Sequence, residues 1–97
     1  MSFQNALYLD ADFGGAPAID LHGLRVHEAL DELDPFLQQN AMAGERVVTI
    51  IHGRGTGALR TAVHSHLKVS GVVEDFQDSQ NPHSQTGATH AILIPLQ

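Results

Sequence analysis

Residues 47–57 read Val-Val-Thr-Ile-Ile-His-Gly-Arg-Gly-Thr-Gly, a short apolar run that ends in a histidine, an arginine and three glycines. The run is rich in β-branched residues and has little polar alternation, which favours a strand covered on both faces. Residues 58–67 continue with apolar positions three and four residues apart, the spacing of an amphipathic helix. The stretch therefore predicts a buried strand, a glycine loop and a helix in succession.

The glycine loop is suited to binding an anion. Gly53, Gly55 and Gly57 tolerate positive φ and let a ligand approach the backbone closely. Unpaired N–H groups at the start of the following helix favour a phosphate group. The loop also satisfies Gly-x-Gly-x-x-Ala, but the chain is too short for the usual dinucleotide-binding fold. We therefore expect a phosphate site without a dinucleotide.

The rest of the chain adds further strands and a longer helix. Residues 19–22 alternate apolar and polar side chains, which predicts a strand, and an apolar stripe over residues 26–43 predicts a helix. Pro35 lies inside this helix, so we expect a kink or a division into two pieces. Two more strands are expected at residues 72–76 and 89–96, and the residues between them, 77–87, are expected to form a polar loop. The predicted order is strand, helix, strand, helix, strand, strand.

The N-terminal residues show no clear period. Leu7 and Leu9 alternate weakly with polar neighbours, and Gly14 and the residues that follow it break any continuation. We therefore expect an extended N-terminal arm over residues 1–18 and one folded domain over residues 19–97.

Composition narrows the class of protein. The 97 residues include no cysteine, which excludes disulfide frameworks and thiolate metal sites. No apolar run approaches the roughly 20 residues that span a bilayer, and the start of the chain lacks the features of a secretory signal. We therefore expect a cytoplasmic protein with no membrane partner.

The net charge of −6 hides an uneven distribution. Residues 1–45 hold eight acids and one base, whereas residues 46–73 hold four bases and no acid. A local excess of positive charge can mark an anion-binding face, although solvated helix charges are a common alternative. The candidates for such a face are Arg46, Arg54, Arg60 and Lys68.

The polar residues at the ends of two predicted strands are expected to meet. Consecutive strand, helix, strand units place parallel strands side by side, with their C-terminal ends at one edge of the sheet. Asp20, His22 and His52 would then lie beside the glycine loop. Imidazoles can exchange protons near neutral pH, a carboxylate can orient one, and loop N–H groups can hold a phosphate. This combination suits phosphodiester cleavage. The same three residues could instead ligate zinc or manganese, but no rigid histidine spacing supports that alternative.

These motifs resemble a known family. Residues 19–22, Ile-Asp-Leu-His, resemble the Leu-Asp-x-His motif of the Smr (small MutS-related) domain, and residues 52–55, His-Gly-Arg-Gly, resemble its His-Gly-x-Gly motif. The resemblance covers about residues 19–97. It implies an α/β fold in the form of a two-layer sandwich, with βαβαββ order, a mixed four-stranded sheet and two helices. It also implies nucleic-acid binding and, in a number of members, endonuclease activity on RNA or nicking of DNA. Arg25 stands where the family often has a Thr or Ser cap.

We therefore predict an Smr-type endonuclease that cleaves RNA or, as a second choice, nicks or cuts branched DNA. The predicted catalytic residues are Asp20, His22 and His52. The predicted nucleic-acid-binding residues are Gly53, Arg54, Gly55, Arg25, Arg60 and Lys68. No metal ligand is assigned, although magnesium or manganese could assist, and the expected partners are RNA or DNA with a ribosome or recruiting protein. The alternative is a noncatalytic nucleic-acid- or ribosome-binding module.

Overall fold

A computed structural model describes residues 2–81 and 87–96 of the chain. From residue 18 onward the described elements follow the predicted βαβαββ order, and a helix precedes them. The elements are α1 (Phe3–Asp12), β1 (Ala18–Asp20), α2 (Val26–Met42), β2 (Val47–Ile51), α3 (Ala58–Val69), β3 (Val73–Asp78) and β4 (Ala88–Leu93). The predicted α/β class and the two helices that alternate with strands are confirmed.

The sheet is mixed, as predicted, with strand order β1-β2-β4-β3. Strands β1 and β2 are parallel, whereas β4 is antiparallel to both of its neighbours. Asp20 is paired with Ile51, and the backbone N–H of Leu21 donates to the Ile51 carbonyl over 2.7 Å. The C-terminal ends of β1 and β2 therefore lie side by side, which is the arrangement on which the predicted site depends.

Helices α2 and α3 cover one face of the sheet and form the main core with it. Four apolar residues of α2 recur at helical spacing and are fully buried, in agreement with the centre of the stripe in the sequence: Ala29, Leu33, Leu37 and Ala41. Val26, at the start of the stripe, is exposed. Burial of a leucine side chain of this kind stabilises a fold by about 1.5–3 kcal/mol. The buried cluster contains Leu21, Ala29, Leu33, Leu37, Ala41, Val48, Ile50, Val63, Leu67, Val72, Ala91 and Leu93.

The sequence led us to expect that Pro35 would either kink α2 or divide it into two pieces. The division does not occur. The helix runs without interruption from Val26 to Met42 with the proline inside it. Leu33 and Leu37 on either side of the proline are fully buried. Their packing against the sheet compensates for the backbone hydrogen bond that proline removes, a loss of about 3 kcal/mol in an isolated helix.

The prediction of an extended N-terminal arm is wrong, because α1 occupies much of that segment. The Ser2 hydroxyl caps the helix by accepting a hydrogen bond from the N–H of Asn5 over 3.1 Å. Tyr8 is buried, and its hydroxyl donates to Asp75 Oδ2 over 2.6 Å. Burial and this aspartate raise the pKa of the Tyr8 phenol. Partners far along the chain hold the helix, which local sequence patterns do not reveal.

Helix α1 lies on the opposite face of the sheet from α2 and α3. Side chains alternate along β4, so that Ala91 and Leu93 enter the main core while His90 and Ile92 point the other way. His90 contacts Asp12 at the end of α1. The two-layer arrangement therefore describes residues 18–93, and α1 adds a third layer across β2 and β4.

Some predicted boundaries shift. Strand β1 ends at Asp20, so that His22 lies in the turn that follows. Strand β3 extends to Asp78, which shortens the polar loop predicted at residues 77–87, and residues 82–86 of that loop lie outside the described part. Within residues 2–81 and 87–96, no helix has both the length and the apolar character that crossing a membrane requires.

Candidate active site

Asp20 and His22 form an exposed pair at the end of β1. His22 Nδ1 lies 2.5 Å from Asp20 Oδ1, and the backbone N–H of His22 donates to the same oxygen over 3.1 Å. The side-chain exposure is 61% for His22 and 51% for Asp20. The side-chain and backbone hydrogen bonds from His22 lower the pKa of Asp20, so that the carboxylate stays ionised. An Nδ1–H donated to the carboxylate leaves Nε2 as the acceptor of a proton.

The glycine loop lies directly against this pair. Gly53 has φ +80°, and a Cβ atom built on it would come within 3.2 Å of the Cβ of His22. The carbonyl of Gly87 accepts hydrogen bonds from the backbone N–H groups of His52 and Gly53 over 3.1 and 3.0 Å. The structure therefore brings Asp20, His22 and the glycine loop together, as the sequence predicted. The hydrogen bonds to Gly87, which directly precedes β4, hold the loop in place.

The starts of α2 and α3 face a shared groove next to the loop. This groove has a volume of about 280 Å³, and Arg25, Arg54 and Arg60 are among the side chains that line it. The backbone N–H of Arg25 is capped by Glu28 Oε1 over 3.0 Å, which leaves the Arg25 guanidinium outside the capping interaction. N–H groups at helix starts carry a partial positive charge, and arginine side chains add full charges. The groove is therefore suited to a phosphate group.

His52 has a different environment from the one that its sequence position suggested. It is 5% exposed, its Nδ1 lies 2.9 Å from the Gly53 carbonyl oxygen, and its Nε2 lies 2.9 Å from Thr89 Oγ1. Both ring nitrogens therefore have protein partners, and the imidazole is packed beneath the loop. The sequence could not separate His22 from His52, because each follows a predicted strand and precedes a glycine.

The basic residues do not form one continuous face. Arg60 pairs with Asp78, with Nη2 2.5 Å from Oδ2. Lys68 lies eight residues further along α3, about 12 Å along the helix axis. Arg46 is at the start of β2, where it contacts the Leu93 carbonyl and Glu74. The structure thus places Arg25, Arg54 and Arg60 together and separates Lys68 from them.

A polar cluster that no sequence motif indicated lies behind the loop. His64 Nε2 lies 2.9 Å from Thr89 Oγ1 and 3.2 Å from Asp78 Oδ1. Burial and the nearby Arg60 charge lower the pKa of His64, whereas the hydrogen bond from Arg60 lowers the pKa of Asp78. The residues come from a helix and two strands, and no spacing in the sequence connects them.

The fold and the site together define a class of protein. The class is an α/β domain whose sheet edge combines an aspartate–histidine pair with an anion-binding glycine loop. The chain belongs to the Smr domain family, whose model matches residues 19–93.

Relatives with known names agree with this assignment. The chain is similar to Endonuclease MutS2 of Ruminiclostridium cellulolyticum, at 41% identity over 71 residues, and to that of Staphylococcus aureus, at 43% identity over 75 residues. These alignments cover 73% and 77% of the chain but 9% and 10% of the relatives, so that the chain matches about a tenth of their length.

Solved structures show the same fold. The Smr domain of Thermus thermophilus MutS2 is 38% identical, with a TM-score of 0.77, and the match covers 82% of this chain and 100% of that domain. YdaL, a stand-alone small MutS-related protein from Escherichia coli, is 25% identical with a TM-score of 0.77. That match covers 95% of this chain and 77% of YdaL.

Proposed function

We propose that this Smr domain is an endonuclease that cleaves phosphodiester bonds, with cleavage of RNA as its first activity and nicking of DNA or cleavage of branched DNA as the second. One observation carries the proposal. An exposed imidazole, oriented by Asp20 through Nδ1, lies against a glycine loop that can hold a phosphate. The name of the MutS2 relatives supports an endonuclease activity, which we extend to this chain as part of the proposal.

Substrate binding is assigned to the groove between the helix starts. The backbone N–H group of Gly55 and the side chains of Arg25 and Arg54 would surround the scissile phosphate, with Arg60 at the margin. The Gly53 N–H donates to the Gly87 carbonyl, so that Gly53 would shape the loop rather than donate to the phosphate. Contacts of this kind position a nucleic-acid backbone without reading its bases. Lys68 would at most contact a distant part of the substrate, since it lies near the other end of α3.

Proton transfer is assigned to His22. Its Nε2 would take the proton from the attacking hydroxyl while the new oxygen–phosphorus bond forms and the bond to the leaving oxygen breaks. The leaving oxygen would take a proton from solvent, because the groove is open to water. Asp20 would hold the ring orientation and stabilise the imidazolium. RNA is favoured because its own 2′-hydroxyl can be the nucleophile, so that one exposed base is sufficient.

His52 receives a positioning role in this proposal. The sequence suggested that it shares acid–base catalysis with His22, but its two nitrogens contact the Gly53 carbonyl and Thr89 within the fold. A buried imidazole in these contacts would hold the loop in place for phosphate binding. No step is assigned to a metal ion, and the experiment below measures whether cleavage requires magnesium or manganese.

The test is cleavage of an end-labelled RNA that combines a single-stranded segment with a hairpin, beside a branched DNA of matched sequence. Wild type is compared with Asp20→Asn and His22→Asn, each with magnesium, with manganese and with a chelator. Asp34 and His66 form another aspartate–histidine pair, with Asp34 Oδ1 3.3 Å from His66 Nε2, and neither residue lines the groove. Asp34→Asn and His66→Asn are therefore matched controls.

We expect cleavage to be lost in the Asp20 and His22 variants and retained in both controls, with RNA binding retained in all four. A 2′,3′-cyclic phosphate product would identify the 2′-hydroxyl as nucleophile. Binding without cleavage by the wild type would instead support a noncatalytic nucleic-acid-binding module. Equal loss of binding and cleavage in Asp20→Asn would assign Asp20 to the fold and contradict the proposed chemistry.

A further inference from the structure

The polar cluster behind the glycine loop has the composition of a metal site. Within residues 2–81 and 87–96, the side chains of His52, His64 and Asp78 each offer a ligand atom, and these atoms all lie within 4.8 Å of one another. They come from the end of β2, from α3 and from β3. Neither sequence motif predicts this set, and the proposed nuclease chemistry does not use it as a ligand set.

The cluster is arranged around one hydroxyl group. Thr89 Oγ1 lies 2.9 Å from His52 Nε2, 2.9 Å from His64 Nε2 and 3.2 Å from Asp78 Oδ1. His64 Nε2 and Asp78 Oδ1 are themselves 3.2 Å apart. Ligand atoms at about 2.0–2.1 Å from a tetrahedral zinc ion are separated by about 3.4 Å. The separation of 3.2 Å between His64 Nε2 and Asp78 Oδ1 is close to this value, and the three ligand atoms of His52, His64 and Asp78 lie within 4.8 Å of one another. Small shifts of these side chains would therefore bring the three atoms to zinc-binding distance, with the Thr89 hydroxyl beside the ion.

Surrounding groups orient the ligands as metal sites require. His52 Nδ1 lies 2.9 Å from the Gly53 carbonyl oxygen, so that an Nδ1–H donor leaves the Nε2 lone pair directed at the cluster. Arg60 holds both oxygens of Asp78, with Nη2 donating to Oδ2 and Nε donating to Oδ1 over 3.3 Å, and Oδ1 also faces His64 and Thr89. Metal-ligating histidines and carboxylates have outer hydrogen-bond partners of this type.

The ligand atoms favour one kind of ion, and a cavity gives that ion access to the cluster. Two imidazole nitrogens with one carboxylate oxygen favour zinc, whereas magnesium and calcium prefer oxygen ligands. His52, Arg60 and Asp78 also line a cavity of about 300 Å³, through which an ion can reach the cluster.

We propose that His52, His64 and Asp78 form a zinc-binding site that ties β2, α3 and β3 together behind the glycine loop. The ion replaces the hydrogen bonds that converge on Thr89 and fixes the His52 ring, which in turn holds the Gly53 carbonyl. The site concerns the position of the loop, and it does not depend on the domain being a nuclease.

The test uses the untagged full chain, stripped with a chelator and dialysed. Zinc is titrated by calorimetry, its stoichiometry after dialysis is measured by elemental analysis, and cobalt(II) is used as a spectroscopic probe. His64→Phe removes one ligand and retains an aromatic ring next to Phe76, whose ring centre is 5.0 Å from that of His64. Asp78→Asn removes a second ligand. His66→Ala, on the same helix, is the control.

We expect one zinc ion per chain, an intense visible cobalt spectrum typical of tetrahedral geometry, and a melting temperature raised by several degrees with zinc. His64→Phe and Asp78→Asn should each weaken zinc binding at least 10-fold, whereas His66→Ala should change it less than about 2-fold. Unchanged zinc affinity in both ligand variants, or no zinc retained by the wild type, would overturn the proposal.

A measurement on the wild type covers the case in which a variant fails to fold. Long-range ¹H–¹⁵N spectra resolve the ring nitrogens of histidines. Zinc should shift the Nε2 signals of His52 and His64 and leave those of His22 and His66 in place. Zinc-induced shifts confined to His22 or His66 would contradict the assigned ligands.

Discussion

Two aspartate–histidine pairs with similar distances lie in opposite environments. At the sheet edge, His22 and Asp20 are 2.5 Å apart with side-chain exposures of 61% and 51%. On the α1 face, His90 Nε2 and Asp12 Oδ1 are 2.8 Å apart with exposures of 2% and 13%. The first pair lies beside Gly53, which lines the groove, and the second is enclosed between α1 and β4.

Because of this difference in burial, we expect the exposed pair to serve the reaction and the buried pair to stabilise the fold. An exposed pair contributes little to the free energy of folding, because water and salt screen it, but its free nitrogen can reach a substrate. The buried pair has partners on every side. Asp12 Oδ1 also accepts hydrogen bonds from Ser79 Oγ and the Gln80 N–H, and His90 Nδ1 lies 2.8 Å from Thr49 Oγ1. Loss of one member there leaves the others buried without a partner.

The largest expected effect is on catalysis at the exposed pair. His22→Asn should lower the cleavage rate by about 10²- to 10⁴-fold, because the side chain that accepts the proton is removed. The free energy of unfolding should change by less than about 0.5 kcal/mol at this exposed site. Single-turnover cleavage and urea unfolding measure the two quantities. A large loss of stability in this variant would contradict the idea that the exposed pair contributes to catalysis and not to folding.

The buried pair should show the reverse pattern. Asp12→Asn should lower the free energy of unfolding by about 1.5–3 kcal/mol, the range for hydrogen bonds to a charged group. Cleavage at a temperature where the variant is folded should stay within about 3-fold of wild type. Chemical unfolding and cleavage under identical conditions provide the measurement. A fall in cleavage comparable to that of His22→Asn would assign Asp12 to the reaction.

A glycine substitution tests whether the exposed pair needs the loop beside it. Gly53→Ala should cost about 1–2 kcal/mol of stability, since φ is +80°, and should also displace His22 through the 3.2 Å contact. Gly14→Ala is the matched control, because φ is +84° and nothing lies within 4 Å of the added Cβ. Both variants should lose similar stability, but Gly53→Ala should lose at least 10-fold more cleavage. Equal cleavage rates in the two variants would show that the reaction does not require the loop conformation at Gly53.

The smallest expected effect is a dependence of stability on pH. Burial acts to raise the pKa of Asp12, but hydrogen bonds from His90, Gln80 and Ser79 outweigh it and hold the pKa below its usual value. A carboxylate with a lowered folded pKa stabilises the fold above the unfolded pKa and loses that contribution as the pH falls through the folded pKa. The stability difference between wild type and Asp12→Asn should therefore be full at pH 7 and narrow below about pH 4. Urea unfolding at a series of pH values checks the slope, and a constant difference would contradict it.

Sequence patterns predicted the elements that have a local periodic signal. The β-branched run of β2, the stripe of α2 and the glycine loop each appeared at the expected place. The meeting of Asp20 with the loop followed from the pairing of parallel strands. Helix α1 was missed, since its buried side chains Tyr8 and Ala11 are too few to make a clear stripe and its partners lie about 70 residues away.

The sequence by itself determined the order of strands and helices, the glycine loop and the edge of the sheet to which Asp20 and His22 belong. These features depend on residue type and spacing, which act over a few neighbouring positions. Only the tertiary structure decided that His22 is exposed while His52 is buried, that Arg60 pairs with Asp78, and that His64 joins the cluster around Thr89. Burial and pairing depend on which distant elements pack together, and two histidines that each follow a strand and precede a glycine can therefore have different chemistry.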